Sequence, residues 1–436
     1  MLGLFYFYTM NIEALYSLYK SQKTVCTDTR KIKKGAIYFA LKGDNFDGNK
    51  FANKAIEAGA SFCVIDDANL SNDSNKFILV NDVLETLQKL ANYHRKQLKY
   101  PIIGLTGSNG KTTTKELINR ILSTTYRVSA TEGNLNNHIG VPLTLLSFSK
   151  DLDFGIVEMG ANHQKEIEFL CKIAEPDFGL ITNFGKAHLE GFGGVEGVLK
   201  GKSELYDYLK SNSKTAFINT DDPKQVRQIG NYSKIITFGS SDDNDCIIKF
   251  KAANPFVNFY YGNALIHSKL IGDYNFGNIA IAVAIGQHFN IPVINIKEGV
   301  ETYEPDNNRS EIIETKSNKI ILDAYNANPT SMLAALRNFK NIDAEDKYLF
   351  LGDMFELGEV ADAEHQAIVD YAESNFDNPI FLVGENFYKT QTKASAVKYS
   401  TFESFKKEFH NLKIKNAAIL IKGSRGMALE RILDLL

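Results

Sequence analysis

Three successive rhythms of apolar and polar positions divide the chain. Residues 10 to about 98 alternate short apolar runs with polar turns and amphipathic stretches, which indicates a small α/β unit. From about Tyr100, short runs typical of buried strands alternate with stretches long enough for helices, as in a mostly parallel, doubly wound sheet. After about Glu304 a βα rhythm starts again. We therefore predict an α/β protein of three domains, at residues 1–98, 99–305 and 306–436.

Particular runs predict particular elements. The expected strands contain AIYFAL, SFCVID and KFILV in the first segment, IIGL, FGIVEM, FGLITN, AFIN and IITF in the second, and KIILD, KYLFLGD, PIFLVG and AAILIKG in the third. Helical spacing is found in TSMLAALRNF, DAEHQAIVDYAES and TFESFKKEFHNL. In such sheets the carboxyl ends of the strands gather at one crevice, where ligands bind.

Composition narrows the class of protein. A chain of 436 residues is too long to fold around a single hydrophobic core. Its content of 44% hydrophobic and 23% charged residues is ordinary for a globular protein. With 49 Lys and Arg against 52 Asp and Glu, the net charge of -3 gives no general attraction to nucleic acid or to anionic membrane. Neither kind of partner is expected, so an anionic ligand must be held by a local site.

Cysteine usage and the first residues bear on location. The 4 cysteines lie far apart without a CxxC pair, which favours reduced thiols in a cytoplasm over a disulfide framework or a zinc site. The opening MLGLFYFYT carries no basic region and is too short to span a bilayer or to act as a secretory signal. We interpret it as a disordered extension or as an upstream start ahead of Met10.

A glycine-rich loop between a strand and a helix carries the clearest chemistry. Its backbone N–H groups and the helix N-terminus favour phosphate oxygens, Lys111 can reach the β- and γ-phosphates, and Thr112 can place its hydroxyl on Mg²⁺. The match to the general phosphate-loop pattern is incomplete, because the position five before Gly110 is Leu105. The predicted ATP-binding residues here are Gly107, Ser108, Asn109, Gly110, Lys111, Thr112 and Thr113.

Two further side chains are expected near the nucleotide. Glu158 closes the run FGIVEM, and His188 follows the run FGLITN. Both would therefore lie at the edge where strand ends meet. A carboxylate and an imidazole beside Mg²⁺-ATP form a plausible metal site, although Mg²⁺ prefers oxygen ligands. An ordinary surface or core histidine is the alternative for His188.

The form TGSNGKTT resembles the Mur ligase family, and the resemblance covers nearly the whole chain. In order, the similar strings are CTDTR, AIYFALKGDNFDG, EGNLNNHIGVPLTLL, VEMGANH, TNFGKAHLEGFGGVEGVLKGKSELY, NRSEI, LDAYNANPTSM, LGDMFELGE and IKGSRGM. The resemblance implies a uridine-nucleotide domain, a central phosphate-loop ATPase domain and a Rossmann-like C-terminal domain for the incoming amino acid or peptide. It does not rest on any single string.

Within the family the chain is most similar to the branch that adds D-alanyl-D-alanine to UDP-N-acetylmuramoyl-tripeptide. That similarity implies ATP-dependent amide formation through an acyl phosphate, with a pentapeptide product for peptidoglycan. The absence of a DNPR string favours dipeptide over diaminopimelate addition. Another family member that adds a single amino acid, and a non-catalytic ATP-binding switch, remain alternatives. A monomer is expected.

The resemblance also implies roles for single residues at the ATP site. Lys202 matches the position of a carbamylated lysine that would serve one of two Mg²⁺ ions, and Lys200 is the competing candidate. The catalytic set is Lys111, Glu158, His188 and Lys202, and the metal ligands are Thr112, Glu158, His188 and Lys202. Asn278 would contact adenine, Arg309 the phosphates and Asp323 the ribose. Relatives often have His where this chain has Tyr274.

Substrate contacts are implied in the same way. Thr29, Arg30, Lys42 and Gly43 would bind the uridine nucleotide, and Asn136 and Asn137 would position the peptide carboxylate. Tyr325, Asn326 and Asn328, just after a predicted strand, are candidates for recognising D-alanyl-D-alanine. Asn49 stands where many relatives have His, so that residue's role is not carried over. For the Asn-rich turn, a plain backbone role is the alternative.

Overall fold

The computed structural model describes residues 10–70, 75–305, 309–315, 317–393, 395–409 and 414–436. The apolar residues 1–9, predicted to be an extension or an upstream start, lie outside these ranges. The chain groups into two units, of which the first comprises Met1–Leu105, Tyr126–Gly160 and Glu166–Gly179. The second comprises Thr106–Thr125, Ala161–Lys165 and Leu180–Leu436.

The N-terminal segment is a small α/β unit, as predicted. Its helices and strands are α1 Ile12–Gln22, β1 Val25–Cys26, β2 Ile37–Phe39, β3 Lys42–Gly43, β4 Phe46–Asp47, α2 Ala52–Glu57, β5 Phe62–Ile65, β6 Phe77–Leu79 and α3 Val83–Gln97. Strands β1, β2, β5 and β6 form a parallel sheet in that order, and β3 pairs antiparallel with β4. Tyr38 on β2 and Cys63 and Ile65 on β5 belong to the buried core cluster on this sheet.

The middle segment is rich in alternating strands and helices. Its elements are β7 Ile102–Thr106, α4 Lys111–Ser123, β8 Val128–Ala130, α5 Gly140–Ser147, β9 Phe154–Glu158, α6 Glu166–Ala174, β10 Phe178–Ile181, α7 Leu189–Phe192, α8 Val195–Ser211, β11 Thr215–Asn219, α9 Pro223–Ile229, β12 Ile235–Gly239, β13 Cys246–Ala253, β14 Phe256–Tyr261, β15 Ala264–Ile271, α10 Tyr274–His288 and α11 Val293–Glu301. Each strand predicted from an apolar run in this segment is confirmed.

Pairing in this segment is parallel near the phosphate loop and antiparallel farther along the chain. In the first unit β9 pairs in parallel with both β7 and β8. In the second unit β11, β12 and β13 pair in parallel, and β13, β14 and β15 then form an antiparallel meander. The meander is an addition to the mostly parallel sheet that the sequence predicts.

Helix α3 fastens the N-terminal segment to the part of the middle segment that lies in the same unit. The His94 Nε2–H group donates to the Phe148 carbonyl at 2.8 Å, at the end of α5. The Arg95 guanidinium donates to the Ala174 carbonyl at 2.9 Å and to Asp177 at 2.6 Å, after α6. Since His94 and Arg95 are buried, these bonds are shielded from solvent.

The C-terminal segment repeats the βα rhythm, as predicted. Its elements are β16 Glu311–Glu314, β17 Asn318–Asp323, α12 Pro329–Lys340, β18 Asp346–Gly352, α13 Ala361–Asn375, β19 Ile380–Val383, α14 Glu385–Lys389, β20 Ala396–Tyr399, α15 Phe402–Phe409 and β21 Ala417–Lys422. The sheet order is β16-β17-β21-β18-β19-β20, with only the edge strand β16 antiparallel among these described strands. Phe350 and Phe381 stack at 4.8 Å in its core.

Cysteine state and helix length agree with the composition. Within the described ranges, Cys26, Cys63, Cys171 and Cys246 are all free thiols, and the last three are buried. Helices of the described chain are all too short or too polar to cross a lipid bilayer.

Candidate active site

The phosphate loop has the predicted strand–loop–helix form, with residues 107–110 between β7 and α4. Gly110 precedes α4 with φ 76°, a left-handed conformation that favours glycine. A Cβ on Gly110 would lie 2.2 Å from Oδ1 of Asn278, and one on Gly107 would lie 1.9 Å from Oγ1 of Thr182. Both glycines are therefore required by close approach as well as by backbone shape.

Hydrogen bonds from the segment between β10 and His188 hold the loop in shape. The Asn109 N–H group donates to Asn183 Oδ1 at 3.1 Å, and the Asn109 carbonyl accepts from Thr182 Oγ1 at 2.6 Å and from Asn183 Nδ2 at 2.9 Å. The Ser108 hydroxyl donates to the Gly185 carbonyl at 2.9 Å. Asn183 was not singled out from the sequence, although it lies in the TNFGKAH string.

Lys111 is folded along the loop that it is predicted to serve. Its ammonium donates to the Gly107 carbonyl at 2.7 Å and to the Ser108 carbonyl at 3.4 Å. Thr112 and Thr113 follow in the first turn of α4, where the helix N-terminus favours anions. The arrangement suits a phosphate group.

Asn278, predicted to contact adenine, lies on α10 against the start of α4. Its Oδ1 accepts from the Thr114 hydroxyl at 3.1 Å, and its Nδ2 donates to Asn275 Oδ1 at 2.9 Å. The buried carboxamide therefore braces Gly110 and Thr114. A contact with adenine stays a prediction.

Residues predicted to reach the nucleotide meet at the end of β17. The β17–β21 register places Asp323 beside Lys422, whose buried ammonium donates to Asp323 Oδ2 at 2.5 Å. Asp323 Oδ1 accepts from the Ser310 N–H group at 3.2 Å. The Arg309 guanidinium lies 3.6 Å from the ring centroid of Tyr325. Arg309, Asp323 and Tyr325 are thus brought together, whereas Lys422 and Ser310 were not predicted.

Tyr274, at the position where relatives often have His, also takes part in this region. Its hydroxyl lies 2.9 Å from the Ser310 hydroxyl. Burial, with a smaller contribution from Asp323, raises the pKa of Tyr274 well above its ordinary value. The side chain is therefore a neutral phenol across the physiological pH range.

The turn after β17 meets the phosphate loop through Asn328. Its Oδ1 accepts from the Ser331 N–H group at 2.9 Å. The Ser331 hydroxyl in turn accepts from the Asn328 N–H group, and the two bonds form a capping box at the start of α12. Its Nδ2 donates to Oδ1 of Asn109 at 2.7 Å. Asn326 makes a local contact instead, because its Oδ1 accepts from the Ala327 N–H group. Asn328 therefore links the C-terminal segment to the phosphate loop.

His188 lies in a short stretch of chain that contacts the C-terminal segment at several residues. Its φ is 52°, and its Nδ1 donates to the Glu356 carboxylate. That hydrogen bond lowers the pKa of Glu356 below its ordinary value. The Glu190 N–H group donates to the Glu356 carbonyl at 3.2 Å, and the Lys186 ammonium pairs with Glu364 at 2.5 Å. Glu356 was not predicted as a site residue, although LGDMFELGE was noted.

The two lysines considered for carbamylation differ sharply in burial. Lys202, on α8, is fully buried, donates to the Ala161 carbonyl at 3.0 Å and lies 4.9 Å from the ring centroid of Phe192. Lys200 is exposed. Burial of a polar head among defined partners favours Lys202 as the functional lysine.

Glu158 is the buried last residue of β9, as predicted from the run FGIVEM. Its Oε1 accepts from Asn136 Nδ2 at 2.8 Å, and its N–H group donates to the Thr131 hydroxyl at 3.0 Å. The Asn137 Oδ1 accepts from the N–H groups of Ile139 and Gly140 at the start of α5, a backbone contact of the kind weighed as the alternative. Asn136 thus meets Glu158, and a role of Asn136 and Asn137 at the peptide carboxylate stays a prediction.

The predicted uridine region contains a network of polar side chains. Lys42, on β3 beside Gly43, pairs with Asp66 at 2.8 Å. Buried Asn49 donates to Asp66 Oδ1 at 2.8 Å and to Asp47 Oδ1 at 2.9 Å, and accepts from the Asp66 N–H group. The Asn49 side chain therefore orients the Asp66 side chain through hydrogen bonds.

Arg30 is the most solvent-facing of the predicted uridine ligands. It follows Thr29 in a 3₁₀ turn, and its guanidinium forms two hydrogen bonds with Asp28, at 2.9 and 2.8 Å. Those bonds lower the pKa of Asp28 to about 2. The Arg30 side chain is 85% exposed, so it is accessible to a ligand.

The predicted metal set contains two oxygen donors, the Thr112 hydroxyl and the Glu158 carboxylate. Nowhere in the described part of the chain do three His, Cys, Asp or Glu side chains come together as a ready metal site. Lys202 would add oxygen donors only as a carbamate, and His188 would add a nitrogen. Mg²⁺ prefers such oxygen ligands and is usually completed by substrate phosphates.

Models of Mur ligase domains match three ranges of the chain. These are the Mur ligase family catalytic domain at 23–95, the Mur ligase middle domain at 105–286 and the Mur ligase glutamate ligase domain at 308–425. A UDP-N-acetylmuramoyl-tripeptide–D-alanyl-D-alanine ligase of Bacillus subtilis (strain 168) is 34% identical over 422 residues, covering 94% of this chain and 92% of the relative. The chain belongs to the Mur ligase family.

Other relatives are similar to this Mur ligase over almost all of its length. The ligase of the same name from Escherichia coli (strain K12) is 32% identical and covers 94% of the chain and 92% of the relative. A crystal structure of MurF from Acinetobacter baumannii has a TM-score of 0.84 at 28% identity, covering 96% of this chain and 97% of that one. MurF from Thermotoga maritima, solved with ADP, has a TM-score of 0.82 at 26% identity, covering 95% and 97%.

This Mur ligase accordingly has the three-domain α/β fold of the family, with N-terminal, middle ATPase and C-terminal domains containing parallel sheets. The family resemblance inferred from the sequence is confirmed. The domain boundaries at 98/99 and 305/306, and the roles of the single site residues, stay predictions.

Proposed function

We propose that this Mur ligase joins D-alanyl-D-alanine to UDP-N-acetylmuramoyl-tripeptide, with ATP cleaved to ADP and phosphate. The observation that carries the proposal is the hydrogen bond from Asn328 to Asn109. It sets the turn predicted to bind the dipeptide against the loop predicted to bind the triphosphate. An amide-forming ligase needs this neighbourhood, because the acceptor amine must meet a carboxylate activated at the γ-phosphate.

The reaction proceeds in two steps. A terminal carboxylate oxygen of the tripeptide attacks the γ-phosphorus, the bond from that phosphorus to the ADP oxygen breaks, and an acyl phosphate forms. The D-alanyl-D-alanine amine then attacks the acyl carbon and loses a proton to solvent, and inorganic phosphate leaves with the electron pair of the C–O bond. The product is UDP-N-acetylmuramoyl-pentapeptide.

The chain's own groups act mainly by position and charge. Lys111 leaves the carbonyls of its loop to meet the β- and γ-phosphates, and the N–H groups at the start of α4 donate to the phosphate oxygens. Arg309 reaches the phosphates from the stacked position on Tyr325. Asp323, held by Lys422, is set for the ribose, and Asn278 lies on the adenine side of the loop.

Thr112, Glu158, His188 and a carbamylated Lys202 would hold Mg²⁺, in two ions. When bound, the cation neutralises charge that develops in phosphoryl transfer. Carbamylation starts when the Lys202 ammonium gives up one proton. The neutral amine then adds to CO₂ and loses a second proton, so that a cationic head becomes an anionic oxygen ligand. The carbamate nitrogen retains one N–H, which can still donate to the Ala161 carbonyl.

The substrates extend over the remaining predicted residues. Thr29, Arg30, Lys42 and Gly43 would bind the uridine nucleotide, with Lys42 already oriented by Asp66. Asn136 would present the peptide carboxylate, and Tyr325 and Asn326 would join Asn328 at the dipeptide. We also propose that the enzyme acts as a monomer in the cytoplasm, where ATP and nucleotide-linked precursors are found.

Product analysis across a panel of amine acceptors tests the function. We expect ATP hydrolysis only when both the UDP-linked tripeptide and D-alanyl-D-alanine are supplied, and a pentapeptide mass in the product. Tripeptides with diaminopimelate and with lysine should both be offered as donors. Turnover with a single amino acid and none with the dipeptide would contradict the proposal, and so would the absence of product with every acceptor.

A further inference from the structure

Glu356 lies in the loop that follows β18 and touches the segment of His188 through both its side chain and its backbone. Its carboxylate accepts the hydrogen bond from His188 Nδ1. Its carbonyl oxygen accepts from the N–H group of Glu190, two residues beyond His188, at 3.2 Å. The C-terminal segment thus contributes a carboxylate directly to a residue predicted to bind a cation.

We propose that Glu356 is a positioning residue that holds His188 in the Nδ1–H tautomer, with Nε2 presented to a divalent cation. The inference rests on the proposed function, since it takes His188 as a metal ligand. A carboxylate can only accept, so Nδ1 must carry the proton, and the lone pair of a neutral imidazole is then on Nε2. Metal-binding histidines commonly donate their second ring N–H to a carboxylate, which fixes the ring orientation.

The loop around Glu356 is braced by side chains of the C-terminal core. The Met354 N–H group donates to Nε2 of buried His365 at 3.0 Å, and the Phe355 N–H group donates to the hydroxyl of buried Ser424 at 3.0 Å. Glu356 itself has a φ of 60°, in the left-handed region that non-glycine residues adopt when their surroundings require it. The backbone is therefore shaped to present this carboxylate.

A second set of bonds anchors the loop at its start. The buried Asp353 carboxylate accepts from the N–H groups of Asn386 and Phe387, each at 2.9 Å, at the beginning of α14. The Ser424 N–H group donates to the Asp353 carbonyl at 3.1 Å, after β21. These bonds set the place of Glu356 independently of His188. The imidazole is oriented by the C-terminal segment, and not the reverse.

The solvent exposure of Glu356 and His188 indicates that their contact orients the imidazole and adds little to the stability of the fold. The Glu356 side chain is 51% exposed and that of His188 is 21% exposed. Polar side-chain pairs this open to water contribute little to folding. A second pair, Lys186 with Glu364, joins the same two segments without touching the imidazole, so Glu364 offers a matched control.

The test measures Mn²⁺ binding to the full chain by electron paramagnetic resonance in the presence of a non-hydrolysable ATP analogue. Glu356→Gln should weaken Mn²⁺ binding about 10- to 100-fold, the range that such supporting groups reach, with an unchanged thermal unfolding midpoint. Glu364→Gln should bind Mn²⁺ like the wild type. In a His188→Ala background, Glu356→Gln should have no further effect. Imidazole ¹⁵N resonances should report the Nδ1–H tautomer of His188 in the wild type and a mixture in Glu356→Gln.

Several results would overturn the inference. These are wild-type Mn²⁺ affinity in Glu356→Gln or in His188→Ala, an equal loss in Glu364→Gln, and an undiminished effect of Glu356→Gln when His188 is absent. The assay contains no peptide substrate. Failure of D-alanyl-D-alanine transfer by the wild type would therefore count against the proposed function, whereas these metal results bear on His188 and its partner Glu356.

Discussion

Asn328 donates a hydrogen bond of 2.7 Å from its side-chain amide to Oδ1 of Asn109, although the two residues are 219 positions apart. Asn109 belongs to the phosphate loop, and Asn328 caps the first helix after β17. One side chain thus performs two tasks. Its oxygen begins α12, while its nitrogen ties the C-terminal segment to the nucleotide loop.

Substitution of Asn328 should separate these tasks. Serine caps helices about as well as asparagine but is too short to reach Asn109, so Asn328→Ser should lose only that hydrogen bond and lower the free energy of unfolding by about 0.5–1.5 kcal/mol. The turn is then no longer held against the phosphate loop, which should raise the KM for ATP or for the dipeptide roughly 3- to 10-fold. Asn328→Ala should add about 1 kcal/mol of destabilisation. Unchanged KM values in Asn328→Ser would show that the hydrogen bond between Asn328 and Asn109 does not contribute to substrate binding.

Gly110→Ala should disable nucleotide binding. The new Cβ would lie 2.2 Å from Asn278 Oδ1, in a backbone conformation with φ 76°. We expect the Kd for an ATP analogue to rise about tenfold or more, equivalent to at least ~1.4 kcal/mol. Calorimetric titration of the analogue measures the change.

Gly262→Ala provides the control for that variant. Gly262 also has a positive φ, 55°, but a Cβ there would meet no atom within 4 Å, and the residue lies in the turn between β14 and β15. Its substitution should leave nucleotide affinity unchanged. A similar loss in both variants would mean that backbone strain, and not the clash with Asn278, was responsible.

Lys202→Ala should abolish most turnover, because it removes the nitrogen that would carry the carbamate. We expect kcat to fall more than about a hundredfold, beyond what changes behind a metal ligand produce. Bicarbonate should not restore activity, whereas a short-chain carboxylic acid should restore part of it. Lys200→Ala, which alters the exposed neighbour, should behave as wild type in the same steady-state assay. Full activity of Lys202→Ala would exclude the carbamate role.

Acid should destabilise the protein through histidines whose charged form the fold desolvates. Burial lowers the pKa of His94 and His365 below 6.5 in the folded chain, and partial desolvation does the same for the more exposed His288. As the pH falls through 6.5, the unfolded chain therefore binds protons that the folded chain does not, and stability drops until the folded pKa values are reached. Each such proton changes the free energy of unfolding by about 1.4 kcal/mol per pH unit.

Urea unfolding at about pH 7.5 and about pH 5.5 measures this effect, with lower stability expected at the acid pH. His288→Gln is the informative variant, because it replaces a histidine whose ring lies 5.6 Å from that of Phe217 by a side chain that does not titrate. Its stability should depend less steeply on pH. Equal stability of the wild type at both pH values would contradict the prediction.

Much of the architecture could be predicted because it depends on local pattern. Apolar runs such as IIGL, FGIVEM and KIILD correspond to β7, β9 and β17, and the glycines at 107 and 110 indicate the phosphate loop. Hydrophobic periodicity and glycine conformational freedom are properties of a few neighbouring residues. The antiparallel meander β13–β15 was missed, since the expected parallel rhythm gave no reason to look for hairpins at the end of the sheet.

By itself, then, the sequence determined the α/β class, the loop around Lys111 and the membership of the Mur ligase family. Only the tertiary structure decided that Lys202 is buried while Lys200 is exposed, and that Glu356 meets His188. These facts depend on which distant segments touch. Pairing across 168 positions, as for Glu356 and His188, leaves no periodic trace in the chain, because it is set by the packing of whole elements and not by neighbouring residues.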